Sequence, residues 1–170
     1  MQRSTVIAIV LVIVIMASAV VYFEFAPVGN GTLSIGLTDA PAQGVSHIYL
    51  TISNIELQGQ GNSTTTYNQG STQFDLLALV NVTKMLGNIS VPSGNYTMIR
   101  FTVTSAVATL DDSNVTLRVP SEEIKVPLHF QIQSGKTTTI VLDITADETN
   151  ISKSGNLRPV VTVKSTRGPT

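Results

Sequence analysis

The side chains able to do acid–base or nucleophilic chemistry are few and scattered along this chain. His47 and His129 are its only imidazoles, and it has no cysteine. A hydrolytic site needs a nucleophile with a base beside it, or two carboxylates facing a cleft. His47 and His129 each fall on the phase opposite the apolar residues of their segments, Ile48, Leu50 and Ile52 in one and Leu128, Phe130 and Ile132 in the other. That phase predicts solvent-facing strand histidines rather than bases in a cleft. Gly-x-Ser-x-Gly, His-Glu-x-x-His and phosphate-cradling glycine loops do not occur in the sequence. The motif-based routes to a hydrolase, a metalloprotease or a nucleotide enzyme are therefore closed, and the expectation is a non-enzymatic protein without a cofactor.

Two groups of acids could offer oxygen ligands to calcium: Asp111 with Asp112, and Asp143 with Asp147 and Glu148. Neither shows the multi-ligand spacing of a recognised loop, and adjacent acids at a turn commonly act as solvated turn formers. Asp111, Asp112, Asp143 and Asp147 thus stand as candidate ligands against the plainer expectation of no metal. Asp39 reads as the cap of a turn ahead of Pro41. A sugar-binding face would need exposed rings. There is no Trp, Phe101 and Phe130 fall on apolar phases, and Tyr49, Tyr67 and Tyr96 are left as candidate exposed rings in the domain.

The chemistry that the sequence does repeat is the Asn-x-Ser/Thr triplet. It begins at Asn30, Asn62, Asn81, Asn88, Asn95, Asn114 and Asn150, seven of ten asparagines. Ser and Thr make up 38 of 170 residues, from which chance gives roughly two triplets among ten asparagines. The excess predicts N-glycosylation of an exported domain.

Export requires a targeting segment, and the N-terminus offers one. Thr5 to Phe23 is free of charge, nineteen residues long, close to what a helix needs to span hydrocarbon. Arg3 is the only Lys or Arg before Lys84, which keeps the N-terminus inside and the rest outside. The expected organisation is a signal-anchor over residues 1–26, a linker over 27–31, an extracellular domain over 32–166 and a tail over 167–170. Two processing routes compete with a retained anchor. Ala17-Ser18-Ala19 has the small-residue pattern of a signal-peptidase site. A prepilin-type cut near Arg3-Ser4 would instead preserve the apolar helix for a filament core.

About 140 residues beyond the apolar segment suit one core. A formal charge of -1 with 12% charged residues argues against a nucleic-acid partner. Period-two alternation predicts strands through Leu33, Ile35 and Leu37, and through Ile48, Leu50 and Ile52, with a bulge near Ser53-Asn54 before Ile55 and Leu57. Gln58 to Gln73 reads as a long polar loop, and Thr83 to Leu86 as a helical turn. After the Pro92-Ser93-Gly94 turn, a long strand through Ile99, Phe101, Val103 and Val107 forms a hairpin with Val115, Leu117 and Val119. Further strands follow through Ile124 to Ile132, where Pro127 demands an edge or a bulge, then Ile140 to Ile144, and Val161 to Val163. The expected fold is all-β: an antiparallel two-sheet β-sandwich, immunoglobulin- or transthyretin-like, of seven or so strands after an N-terminal transmembrane helix.

Taken in order, SIGLTDAPAQGVSHIYLTISNIEL, FDLLAL, VPSGNYTMIRFTV, LRVPSEEIKVPLHF, LDITADET and LRPVVTV resemble domain of unknown function 4382 over about residues 31 to 165. Thr38-Asp39-Ala40-Pro41 is the most distinctive element, followed by Pro92-Ser93-Gly94-Asn95-Tyr96. The resemblance implies an exported prokaryotic, archaeal-looking β-sandwich and brings no catalytic residues with it. The functional expectation is a structural or adhesive cell-surface module, anchored in the membrane through residues 5–23 and carrying covalent N-glycans. One alternative is a subunit of an extracellular filament or pilus. It would assemble with further copies or surface-layer proteins, either through its helix or by donating the strand-prone Val20 to Phe25. The other is a carbohydrate- or calcium-binding accessory domain.

Overall fold

Period-two alternation makes a strand where one face can be buried, and the leading strands of this domain show why. The computed structural model describes residues 11–16, 29–38, 45–80, 82–110, 113–145, 151 and 155–170. Its strands are β1 (Asn30–Thr38), β2 (His47–Gly59), β3 (Thr64–Asp75), β4 (Lys84–Pro92), β5 (Gly94–Leu110), β6 (Ser113–Thr116), β7 (Glu123–Ile132), β8 (Thr137–Thr145) and β9 (Val160–Arg167). In β1, Leu33, Ile35 and Leu37 are fully buried. In β2 the register slips between Ile52 and Asn54 against both neighbours, which is the expected bulge. The extra residue returns Ile55 and Leu57 to the buried face after Ile48, Leu50 and Ile52.

The strands form two sheets, ordered β4-β1-β8-β9 and β3-β2-β5-β6, with β7 also paired to β5. Because β2 occupies one edge of β5 from Tyr96 to Thr109, β6 and β7 must share the other edge. There β7 pairs with Gly94–Thr102 and β6 with Val107–Leu110. Buried side chains of both sheets join in one apolar cluster, with Leu33, Ile35, Leu37, Ile140 and Leu142 from the first and Leu50, Ile99, Phe101 and Val126 from the second. Burying each such side chain stabilises the fold by about 1.5–3 kcal/mol.

The expectation of a wholly antiparallel sandwich is corrected at one pair. β1 and β8 run parallel from Thr32↔Thr137 to Thr38↔Asp143. Parallel neighbours require a long crossover, and here β2 to β7 supply it. The expected loop over Gln58 to Gln73 is instead the end of β2, a 3₁₀ turn at Gln60–Asn62 and the strand β3. β3 is an edge strand whose Thr64, Thr65 and Thr66 are all exposed, so no hydrophobic alternation marked it. Thr83 to Leu86 is not helical. Lys84 opens β4, and the short helical turn lies earlier, at Leu77–Leu79. The partner of β5 ends at Thr116, although Leu117 is buried beyond it.

Pro127 meets both of its expectations. Among the described residues β7 is paired on one side only, and the register slips opposite it, between Tyr96 and Met98. Gly135, at φ 71, supplies the positive φ of the expected Gln133–Lys136 turn. The expected tail is held at its last residue, where Thr170 and Thr137 exchange two backbone hydrogen bonds.

Leu11 to Met16, within the predicted membrane segment, is helical and exposed. Among the described residues no helix is long and apolar enough to cross a membrane. The rest of residues 5–23, and with it most of the anchor expectation, lies outside the described residues.

Candidate functional site

Four of the seven sequon asparagines have described side chains: Asn30, Asn88, Asn95 and Asn114, and all four are exposed. Asn62 lies in the Gln60–Asn62 turn, while Asn81 and Asn150 fall outside the described residues. Strand register fixes the direction of each exposed asparagine. Asn88 pairs with Ser34 on the outer face of the four-stranded sheet, and Asn114 pairs with Thr109 on the outer face of the other. Ser34 Oγ donates to Asn88 Oδ1 at 2.7 Å, and Thr109 Oγ1 donates to Asn114 Oδ1 at 2.9 Å. Both bonds use the amide oxygen. The nitrogen, which carries an N-glycan, stays available in each.

His47 opens β2 with 48% of its side chain exposed, and its Nδ1 lies 2.7 Å from Asp75 Oδ2 at the end of β3. Tyr49, two residues on and on the same face, stacks on the imidazole with ring centroids 5.6 Å apart and an interplanar angle of 11°. Sequence reasoning placed His47 in solvent but missed Asp75. The usable signal was the Asp75 carboxylate within FDLLAL, whose pairing with β2 the sequence does not disclose. His129 is also exposed, on β7. Phe130, next to it, pairs with Tyr96 on β5, thirteen positions from Thr109, the partner of His47. That is about 40 Å along the strand, so the two imidazoles cannot act together.

Further along the same outer face, Glu56, Arg100, Glu123 and Lys125 form a row of mutually satisfied charges. Arg100 lies 3.6 Å from Glu56 and donates to Gln58 at 3.1 Å, and Lys125 lies 3.3 Å from Glu123. Solvent-screened pairs at a surface of this kind contribute about 0–1 kcal/mol each. Between β6 and β7, where the edge of β5 away from β2 lacks a strand partner, the connection Leu117–Glu122 borders a shallow groove of about 430 Å³ lined by Thr102, Thr104, Ser105 and Arg118. Glu122 in this wall has φ 51, a left-handed conformation costly for a residue with a Cβ.

Tyr96 is corrected from exposed to buried. Its ring stacks on Phe130 at 5.3 Å, and its hydroxyl donates to the Pro92 carbonyl at 2.8 Å. Tyr67 is half-buried, and its hydroxyl oxygen has no hydrogen-bond partner. Desolvation raises both phenol pKa values, and charge on Tyr67 raises that of Tyr96 further. Of the four candidate metal ligands only Asp143 is described, half-buried on β8 with one unpartnered carboxylate oxygen. Asp111, Asp112 and Asp147 lie outside the described residues, and among those described no group of three or more His, Cys, Asp or Glu could hold a metal.

Two packed sheets around an apolar core define an all-β, sandwich-like domain. Residues 30–159 match the family model described as domain of unknown function (DUF4382), and the chain belongs to that family. No curated protein and no solved structure matches it.

Proposed function

We propose that this chain is a non-enzymatic, N-glycosylated cell-surface module, held to the membrane by residues 5–23 and serving a structural or adhesive role. The observation that carries this reading is the placement of the sequons. Asn30, Asn88, Asn95 and Asn114 all point to solvent. Glycans there would shield the domain from proteolysis and keep a nearly neutral surface soluble. Site-by-site peptide mass spectrometry of the native protein tests it. Carbohydrate on at least these four asparagines is expected, and unmodified peptides throughout would overturn the reading.

A second reading, a subunit of an extracellular filament, is favoured by the edges of the four-stranded sheet. Among the described residues β4 and β9 are each paired on one side only, and β9 exposes Val160 at 59% and Val163 at 37%. Such an edge can accept a strand from another copy, although Lys164 and Arg167 within it act against indiscriminate pairing. A mature protein beginning at Val20 would support strand donation, and one beginning near Ser4 or Thr5 would support a helical filament core.

A further inference from the structure

Asn114 stands at the edge of an organised strip on the outer face of the five-stranded sheet. One row across the strands reads Asn114, Thr109, His47, and the next reads Thr116, Val107, Tyr49, Asp75. All seven face outward, since the alternating positions Ile48, Leu50, Ala106 and Ala108 are buried. With adjacent strands about 4.8 Å apart, Asn114 lies about 10 Å from His47. The two rings at the far side are held in advance. Asp75 bonds the imidazole at 2.7 Å, and Tyr49 stacks on it at 5.6 Å.

The chemistry of the strip matches a sugar ring lying down on it. A pyranose presents polarised C–H groups on its face and hydroxyls around its rim. Stacked on each other, His47 and Tyr49 each leave one face uncovered by the other ring; an aromatic face carries negative quadrupole density that attracts the former, and Thr109, Thr116 and the Asp75 carboxylate can bond the latter. The strip needs no ligand from solution, because a sequon is already at its border. Asn114 also keeps its amide nitrogen free while Thr109 holds the oxygen. Asn88 offers the contrast: its cross-strand partner Ser34 is followed on the same face by Gly36, and among the described residues no ring pair lies beside it.

We propose that the glycan on Asn114 folds back across Thr109 and Val107 onto the His47–Tyr49 ring pair and becomes part of the packed domain. The proposal rests on the N-glycosylation reading above.

A double-mutant cycle on the glycosylated full chain tests it, read by thermal midpoint and by intact mass. Thr116→Ala removes the sequon without touching the Asn114 side chain or its bond to Thr109. In the native background this loss of glycan should lower the midpoint by about 2–4 °C, and in a Tyr49→Ala background it should change little. Asn88→Gln, which removes a glycan with no platform, should show no coupling to Tyr49→Ala. The same variants made without glycosylation report the protein-only effects, which are subtracted. Additive losses on a chain whose Asn114 is occupied would overturn the proposal and leave the glycosylation reading standing. An unmodified Asn114 would remove both at this position.

Discussion

Thr38 and Asp143 stand side by side in the parallel β1–β8 register, but only one of them is satisfied. The Thr38 hydroxyl donates to the Leu79 carbonyl at 3.2 Å, whereas Asp143 Oδ1 is buried without a partner. An unpaired buried oxygen costs about 1–3 kcal/mol. Asp143→Thr, which continues the outward run of Thr137 and Thr139, is therefore expected to stabilise the domain by about 1 kcal/mol, a rise of about 2–4 °C in thermal midpoint. Loss of stability would contradict this, and a calcium-dependent midpoint in the parent that vanishes in the variant would identify Asp143 as a cation ligand.

Tyr67 and Tyr96 should respond differently to loss of the hydroxyl. Tyr67→Phe removes an unpartnered group and should be neutral or slightly stabilising at pH 7, while Tyr96→Phe loses its bond to Pro92 and should cost about 1 kcal/mol. Both folded pKa values lie above the ordinary 10.0, so folding favours the neutral phenols. Their contribution is complete below pH 10 and is lost as pH rises through the folded values. Denaturant melts should show stability falling above about pH 10, with a smaller fall in Tyr67→Phe. Equal alkaline loss in parent and variant would exclude Tyr67 as a source.

Glu122 follows a turn closed by its own N–H on the Val119 carbonyl at 3.1 Å, and it takes φ 51. Glycine adopts that conformation freely, whereas β-branched residues resist it. Glu122→Gly should be neutral or stabilising by up to about 1 kcal/mol, and Glu122→Val should be destabilising. Chemical denaturation gives the order, and a variant ranking with Val above Gly would contradict the assigned backbone.

Two glycines near the β4–β5 end make a matched pair. A Cβ on Gly31 would collide with the backbone carbonyl oxygens of Gln133 and Lys136, whereas one on Gly94 meets nothing within 4 Å. Gly31→Ala should cost about 1–3 kcal/mol, and Gly94→Ala should be neutral or mildly stabilising. Comparable midpoints for the two variants would mean that β1 and the Gln133–Lys136 turn are not packed as described.

The sequence announced strands wherever a single face is buried: β1, β2, β7 and β8 follow their alternation, and Ser53 and Pro127 announced their irregularities. It hid β3 because threonines facing solvent on an edge strand carry no apolar phase. It hid the start of β4 because Leu86 is a bulged extra residue beside Gly87 at φ 146, which breaks the period. It also hid the β1–β8 pairing, since a buried strand reads the same beside a parallel or an antiparallel neighbour. Tyr96 was misplaced because one hydroxyl suggested solvent, whereas its ring is core and its polar tip reaches only as far as Pro92. At the candidate site, the exposure of His47 was legible from its phase, and the sequons from their triplets. The Asp75 contact depends on pairing distant in sequence, and no local pattern encodes it.

The reading of an anchored surface glycoprotein is tested most directly by intact mass together with the N-terminal peptide of the native protein taken from its membrane fraction. It predicts a chain that retains residues 5–23 and is heavier than its polypeptide by the mass of several glycans. A chain at bare polypeptide mass would contradict the glycoprotein, and a mature start at Val20, or near Ser4 or Thr5, would contradict the simple anchor and establish processing of the kind a filament subunit requires.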